Sequence, residues 1–348
     1  MRRKWFGLLL ALALCLPAVT ALAQQEQLYL SSETAVDLSP LENGYAYVAG
    51  GDAGGAGKAY AALPQSGWTW AVRKDADGIY TLILNNAQLT GYAALSEKEK
   101  CGVLFSGMQL CVELWGDNLI STTGGAGNTA ATIVGIRGQY GGLVFVGDGE
   151  LEVRSNVTGS AQNTVGIRIT SDGASGNDAG CVRVSGQTVV TVSAGKALSC
   201  TGLDLSRDLV ADGGTLRASA YEATVQEKNI QSLGMKGRNI LMKGGGMQLS
   251  GSTRASSLTG AFKFAAEYPM TYYYFRNLTS AQRPESYHVS GYAKFVYNQN
   301  LKYLRVQEDE PLPQTGDTAQ PMLWGLMMAL ALLAMGGMAW QKVQKQRR

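Results

Sequence analysis

The sequence has 348 residues, of which 16% are charged, with 44 glycines and a single histidine, His288. So few charges argue against a disordered chain, and one histidine argues against His-dependent triads and His-rich zinc sites. The formal net charge is +3, but each end of the chain carries +3, which leaves −3 for residues 24–315. That balance argues against nucleic acid as a partner.

Residues 1–23 have the features of a secretory signal peptide. Three basic residues at positions 2–4 precede an apolar run, and the small residues Ala21 and Ala23 flank Leu22. This order predicts a signal helix that is cleaved after Ala23 and leaves Gln24 as the first residue. An uncleaved anchor or a buried helix is the alternative, although the run is short for a membrane span.

The C-terminal region contains three features in a fixed order. It begins with the pentapeptide Leu312-Pro313-Gln314-Thr315-Gly316, continues with an apolar run at 322–340 and ends in a basic tail at 341–348. The run is long enough for a transmembrane helix, and the basic tail is expected on the cytoplasmic side. An ordinary single-pass anchor is the alternative.

This layout resembles the LPxTG cell-wall sorting signal of Gram-positive surface proteins. The resemblance implies that Leu312 and Pro313 are recognised by a sortase, which cleaves between Thr315 and Gly316. It further implies that Thr315 becomes covalently bound to peptidoglycan, so that residues 322–340 contact the membrane only transiently. The expected location is the Gram-positive cell surface.

The middle of the chain contains a repeated motif, a small residue followed by an aliphatic one. The aliphatic members recur at steps of 31–33 residues and are Val103, Ile136, Ile167, Leu198 and Ile230. Each motif precedes short alternating segments with Gly or Asp turns between them, which are typical of β-strands. In the fourth unit the segments are Leu203–Leu205 and Thr215–Ala218, and in earlier units they include Leu110–Leu114 and Leu143–Val146.

This periodicity predicts an all-β fold, a right-handed parallel β-helix over 71–255. The aliphatic residues would stack inside it at about 4.8 Å per coil. The small residue before each would allow a tight corner. An antiparallel sandwich with coincidental spacing is the alternative.

The flanking segments have their own composition. Residues 24–70 are Gly-rich and are expected to cover one end of the solenoid, with Trp68 and Trp70 on one strand face, where they either cover that end or stack on sugars. Residues 256–307 are rich in tyrosine and predict a small antiparallel β module. Residues 308–348 hold a stalk, the sorting signal, the transmembrane helix and the tail.

The repeat pattern over 78–251 resembles small β-helix proteins on clostridial and related surfaces that are described as carbohydrate-binding. The resemblance implies binding of plant-type or acidic polysaccharides, sometimes with calcium. The chain departs from that pattern because it lacks a dense acidic cluster.

Three residues are candidates for glycan binding. Arg137 and Arg168 follow the aliphatic residue in adjacent coils, so both are expected to point outward and to form a guanidinium pair suited to carboxylates of uronic acids or to sulfates. The alternative is a solvated face whose arginines pair with neighbours such as Asp172. Trp115, at a strand end, is either an exposed sugar platform or buried.

No cofactor is expected, and calcium has only weak candidate ligands. Asp172, Asn177 and Asp178 share a long loop and carry oxygen ligands, although the same residue types favour plain turns. The four cysteines after residue 23 are expected to be buried thiols, although export permits disulfides; they are Cys101, Cys111, Cys181 and Cys200.

Together these features predict a wall-anchored, non-catalytic adhesin whose ligand is a polysaccharide. A protein-binding adhesin and a structural wall spacer are the alternatives. A lyase or glycosidase is disfavoured because the carboxylates that such chemistry needs in pairs are scattered singly; they are Glu113, Asp148, Glu150, Glu152 and Asp204.

Overall fold

The computed structural model describes residues 26–52, 55–124, 132–157, 163–171, 179–221, 231–260, 264–266, 270–275, 285–289, 293–294 and 301–308. The predicted signal peptide, the Asp172–Asp178 loop, Ile230 and the sorting signal lie outside these residues. Within the described ranges, no helix has the length and apolarity needed to span a membrane.

The first part of the chain forms short strands and one helical turn. Its elements are β1 (Gln27–Leu30), α1 (Ser39–Glu42), β2 (Tyr47–Gly50), β3 (Lys58–Tyr60), β4 (Trp70–Lys74), β5 (Tyr80–Asn85), β6 (Gln88–Thr90) and β7 (Ala93–Ser96).

The central part consists of five successive groups of three strands. They are β8 (Glu99–Ser106), β9 (Leu110–Trp115), β10 (Asp117–Gly124), β11 (Thr132–Gln139), β12 (Leu143–Gly147), β13 (Glu150–Val157), β14 (Asn163–Thr170), β15 (Val182–Ser185), β16 (Val189–Gly195), β17 (Ser199–Leu205), β18 (Leu209–Asp212), β19 (Thr215–Tyr221), β20 (Gln231–Gly237), β21 (Ile240–Met242) and β22 (Gly246–Gly251).

The last described part contains six more strands. They are β23 (Arg254–Leu258), β24 (Phe264–Ala266), β25 (Met270–Phe275), β26 (Glu285–Val289), β27 (Ala293–Lys294) and β28 (Tyr303–Glu308).

These strands form three long sheets that the chain visits in turn. Sheet A runs β1-β8-β11-β14-β17-β20-β23, sheet B runs β27-β24-β21-β18-β15-β12-β9-β5-β4-β2-β3, and sheet C runs β26-β25-β28-β22-β19-β16-β13-β10-β6. From β8 to β22 every neighbouring pair within a sheet is parallel. The chain therefore coils as a solenoid, and the parallel pairing excludes the antiparallel sandwich.

Antiparallel strands continue the solenoid at the first coil. β1 pairs with β8 along residues 103–106, and β7 pairs with β8 along residues 99–101. Together they cover the edge of β8 that no parallel strand uses, which removes an exposed template for unwanted pairing.

The core is built from columns of apolar side chains, and one column on each sheet illustrates the arrangement. On sheet A the column is Val103, Ile136, Ile167, Leu203 and Met235; on sheet B it is Leu110, Leu143, Val182, Leu209 and Ile240; and on sheet C it is Ile120, Val153, Val192, Ala218 and Leu249. All of these side chains are almost completely buried. Burial of apolar area therefore stabilises every coil through its neighbours.

The structure places Leu198 and the segment Leu203–Leu205 differently from the predicted repeat. Leu198 is 40% exposed, and the column continues instead through Leu203. Leu203–Leu205 accordingly belongs to sheet A, and the sheet B strand of that coil is β18. The chain between β14 and β15 is longer than the corresponding connections of the other coils, so a constant step of 31 residues falls five positions short.

The predicted glycine turns between strands are confirmed at the corners between sheets B and C. Glycines with positive φ angles occupy these corners in successive coils, where a side chain would strain the backbone; they are Gly116, Gly147, Gly186, Gly213 and Gly245.

A second glycine column precedes the aliphatic column of sheet A, and its role differs from the predicted tight corner. The column lies in mid-strand and comprises Gly102, Gly135, Gly166, Gly202 and Gly234. A Cβ at Gly166 would lie 2.1 Å from Cγ1 of Val192 and 2.6 Å from the carbonyl oxygen of Gly202. The glycines therefore let the backbone of sheet A approach the side chains of sheet C.

Polar contacts hold the N-terminal segment to the first strands. The Tyr80 hydroxyl donates a hydrogen bond of 2.7 Å to Glu26, and Lys74 forms ion pairs with Glu26 and Glu42. Burial and the Glu26 carboxylate raise the pKa of Tyr80 to about 12, so this hydroxyl remains a donor at neutral pH.

The glycine column gives a direct test of the packing. Replacing Gly166 with alanine is expected to lower the free energy of unfolding by about 1–3 kcal/mol, because the new methyl group overlaps Val192 and a backbone oxygen. Chemical denaturation measures the change. Gly51→Ala is the matched control, since nothing lies within 4 Å of a Cβ there. Equal effects of the two substitutions would refute the close-packing role.

Candidate functional site

The outer face of sheet A carries a column of charged side chains. Strand register places Arg137 beside Arg168, Arg168 beside Asp204, and Asp204 beside Lys236. The two arginines are therefore adjacent, as their positions in the repeat predicted. Asp204 and Lys236 extend the column through two further coils.

Arg137 is held by the protein on several sides. Its Nε lies 3.1 Å from Oε1 of Glu99, although the N–H lacks the alignment of a hydrogen bond. Its Nη1 donates hydrogen bonds to the carbonyl oxygen of Gly138 and to the hydroxyl of Thr170. With only 8% of the residue exposed, Arg137 acts mainly as an internal support for this face.

Arg168 is more accessible and joins two carboxylates. Its Nε donates a 3.0 Å hydrogen bond to Asp204, and its Nη1 lies 3.7 Å from Glu99. Lys236 lies 3.7 Å from the other oxygen of Asp204, and its side chain is 62% exposed. The arginine partners are thus Glu99 and Asp204, whereas Asp172, the partner considered from the sequence, lies outside the described residues.

A groove of about 500 Å³ opens beside this column. Three successive coils line it at equivalent positions, because Thr170, Ser206 and Arg238 follow Arg168, Asp204 and Lys236 by two residues in the chain. Four cationic side chains and one carboxylate border the groove. The excess of positive charge suits an anionic ligand, and the hydroxyls suit sugar hydroxyl groups.

Trp115 forms a second surface feature, on sheet B. It is 37% exposed, and its ring meets the ring of Trp68 edge-to-face with centroids 5.6 Å apart. Its indole N–H donates a 2.8 Å hydrogen bond to Glu113, which also accepts a hydrogen bond from Arg73. The exposed ring is therefore fixed in orientation, as a platform for a sugar ring requires.

Trp68 and Trp70 do not share one strand face. Strand β4 begins only at Trp70, whose side chain is fully buried in the interior of the solenoid. Trp68 precedes the strand and packs against Ala71 and Ile83 on the outside of sheet B. The expectation of a common face is therefore wrong, because alternation does not extend beyond the end of a strand.

The described residues contain no group of three or more His, Cys, Asp or Glu side chains that could hold a metal ion. Asp75, in the turn after β4, accepts hydrogen bonds from the backbone N–H groups of Asp77 and Ile79. None of the four described cysteines forms a disulfide, and three of them are buried. Burial raises the pKa of the Cys101 and Cys111 thiols, which favours the unreactive protonated form.

Comparison with models of known protein families, with characterised proteins and with solved structures finds no match for this chain.

Sequence reasoning missed several residues that the groove brings together. Lys236 and Arg238 lie in the coil after the one in which the assumed period failed, so they were not aligned with Arg168. Glu99 lies two strands away from Arg168, yet its side chain reaches both arginines. The register of β17 and β20 is the information needed to align Lys236 and Arg238 with Arg168.

The differing burial of the two ends of the charged column leads to a stability prediction. Arg137→Gln is expected to lower the free energy of unfolding by about 2 kcal/mol, because it leaves the Glu99 carboxylate without its nearest cation. Lys236→Gln is expected to cost less than about 0.5 kcal/mol, since this lysine is largely exposed. Urea denaturation separates the two. A Glu99→Gln substitution added to Arg137→Gln should recover part of the loss, and the absence of recovery would refute this pairing.

Proposed function

We propose that this protein is a cell-wall-anchored surface protein of a Gram-positive bacterium that binds acidic polysaccharides without catalysis. The proposal combines the sequence features of the two chain ends with the solenoid between them. A protein fixed in large numbers to the wall needs no turnover, because many weak sites on one cell bind a polymer with high avidity.

The observation that carries the binding proposal is the groove beside Arg168. Four cationic side chains surround a space large enough for a sugar unit, and hydroxyl groups stand at its rim. Carboxylates of uronic acids and sulfate esters pair well with guanidinium and ammonium groups. Lys236 and Arg238 are the most exposed cations and are proposed to make the first contacts, with Arg168 behind them.

The carboxylates near the proposed sites are engaged in ion pairs. Asp204 contacts Arg168 and Lys236, Glu99 contacts both arginines of the column, and Glu113 contacts Arg73. A carboxylate held in this way orients the cations for binding, and this arrangement favours recognition over catalysis.

The finer description of the fold belongs to the same proposal. We assign the solenoid to the right-handed parallel β-helix class, because connections between parallel strands of one sheet are right-handed in nearly all proteins. In this arrangement the chain presents long, flat outer faces, which suit extended polymers.

The groove proposal predicts a charge-dependent affinity for acidic glycans. Lys236→Gln combined with Arg238→Gln is expected to weaken binding of polygalacturonate by about a hundredfold or more, because each cation lost removes about 1.5 kcal/mol or more of charge-assisted hydrogen bonding. Isothermal titration calorimetry at fixed salt concentration measures the change.

The matched control is Arg183→Gln on sheet B, where the arginine is paired with Asp212 outside the groove. A Trp115→Ala variant tests the aromatic surface separately. Equal loss in the groove variant and the Arg183 control would contradict a specific groove, and undiminished binding in the groove variant would place the site elsewhere.

The anchoring proposal has its own test in the native host. Thr315→Ala is expected to abolish release of the protein with wall fragments after digestion of peptidoglycan, because the proposed covalent link uses the Thr315 carbonyl. Immunoblots of wall and membrane fractions provide the measurement. Retention of the variant in the wall fraction would contradict anchoring at this position, whereas Gln314→Ala serves as a control at the variable position of the motif.

A further inference from the structure

The charge on the outer face of sheet C changes along the solenoid. One outward column runs through Glu152, Thr191, Arg217, Gln248 and Arg305, each beside the next in strand register. Over this stretch the column changes from an acidic residue at Glu152 to two arginines on either side of a glutamine. The groove on sheet A does not include this end of sheet C.

A pocket of about 270 Å³ lies over the basic end of the column. Arg217, Gln248 and Arg305 line it together with the polar side chains of Thr215 and Gln307. The three central side chains point outward, because the residues that alternate with them are buried in the core. None of the residues that line the pocket is acidic.

Arg217 differs from the strand arginines that precede it in the described coils. Arg154 on the same face is clamped by two hydrogen bonds to Glu152, and Arg137, Arg168 and Arg183 each face a carboxylate. Arg217 is exposed and has no acidic partner within the described part of the chain. An uncompensated cation in a polar pocket is available to an anionic ligand.

The spacing of the column suggests the arrangement of that ligand. Arg217 and Arg305 are two strands apart, which corresponds to about 10 Å. In an extended polysaccharide this distance is comparable to one disaccharide repeat, so it separates the acidic groups of alternate sugars. Gln248, midway between the arginines, carries an amide that both donates and accepts hydrogen bonds and suits an uncharged sugar.

We propose that this pocket binds a linear polysaccharide whose acidic groups occur on every second sugar. Arg217 and Arg305 pair with successive carboxylates, and Gln248 bonds to the neutral sugar between them. The polymer then lies along the solenoid axis, across the strands of sheet C. This site extends the proposed glycan binding to a second face. It rests on that proposed function only because its ligand is also an acidic polysaccharide.

The test compares polymers that differ in the spacing of their charges. Hyaluronan decasaccharides carry a carboxylate on alternate sugars, polygalacturonate decamers carry one on every sugar, and chitin oligosaccharides carry none. Full-length protein in detergent is titrated with each probe at fixed salt concentration. Arg217→Gln and Arg305→Gln are each expected to weaken hyaluronan binding about tenfold or more, which corresponds to the loss of one charge-assisted bidentate contact.

Arg154→Gln is the matched control, because it removes an equal charge from the same face at a residue that is already paired with Glu152. It is expected to leave hyaluronan binding within about twofold of the unmodified protein, consistent with the small contribution of exposed pairs. Equal loss in Arg154→Gln and Arg217→Gln would overturn the pocket in favour of general surface charge. Chitin binding that equals hyaluronan binding would also overturn it.

The groove variant of sheet A separates this inference from the proposed function. If Lys236→Gln with Arg238→Gln weakens polygalacturonate binding while Arg217→Gln leaves hyaluronan binding unchanged, the groove stands and the pocket on sheet C is refuted. If Arg217→Gln weakens hyaluronan binding while Lys236→Gln with Arg238→Gln leaves polygalacturonate binding unchanged, the pocket stands and the groove is refuted. Thermal midpoints of the variants within about 2 °C of the unmodified protein confirm that folding is intact.

Discussion

The close approach of the sheet A backbone to the side chains of sheet C is the constraint on which the rest of the structure depends. At Gly166 there is no space for even one methyl group between the strand and Val192. Because the same glycine recurs in five coils, each coil closes with the same small cross-section, and the aliphatic columns align. Regular coils then place side chains of successive turns at equal spacing on the outside, so that the interior packing determines the geometry of the surface.

This regular spacing has a cost for charged residues. Identical charges in one column lie about 4.8 Å apart and repel one another. The protein meets this cost at Arg137 and Arg168 by placing Glu99 between the guanidinium groups and Asp204 on the far side of Arg168. Where the surface leaves cations without such compensation, as at Arg217, the unbalanced charge is better explained by a ligand than by folding.

The two outer faces use this principle in different ways. On sheet A the cations surround a groove and are partly neutralised, so the proposed ligand would compete with internal carboxylates for Arg168 and would find Lys236 and Arg238 more accessible. On sheet C the pocket is smaller and contains no carboxylate. No aromatic residue lines the groove or the pocket, so the fixed ring of Trp115 on sheet B offers a different kind of contact.

Much of the fold was readable from the sequence, and the errors have physical causes. The strand at Leu110–Leu114, the glycine corners and the aliphatic column as far as Ile167 follow from alternation, turn chemistry and a constant period. The constant period fails at Leu198 because the chain between β14 and β15 is longer than in the other coils. The residue aligned with Ile167 is therefore Leu203. Once the register is lost, Asp204, Lys236 and Arg238 cannot be aligned with Arg168, so only the arginine pair of the groove was accessible to sequence reasoning. Glu99 could not be predicted as a partner, because its side chain contacts arginines on two other strands and the sequence repeat does not align these positions.

The central claim, that the solenoid recognises acidic polysaccharides, is tested most directly by an array of plant, host and bacterial glycans probed with the full-length protein, with and without calcium. The account predicts retention on acidic glycans that weakens as salt concentration rises and little retention on their neutral counterparts. Retention that is equal on neutral and acidic glycans, or an array without any bound protein, would contradict it.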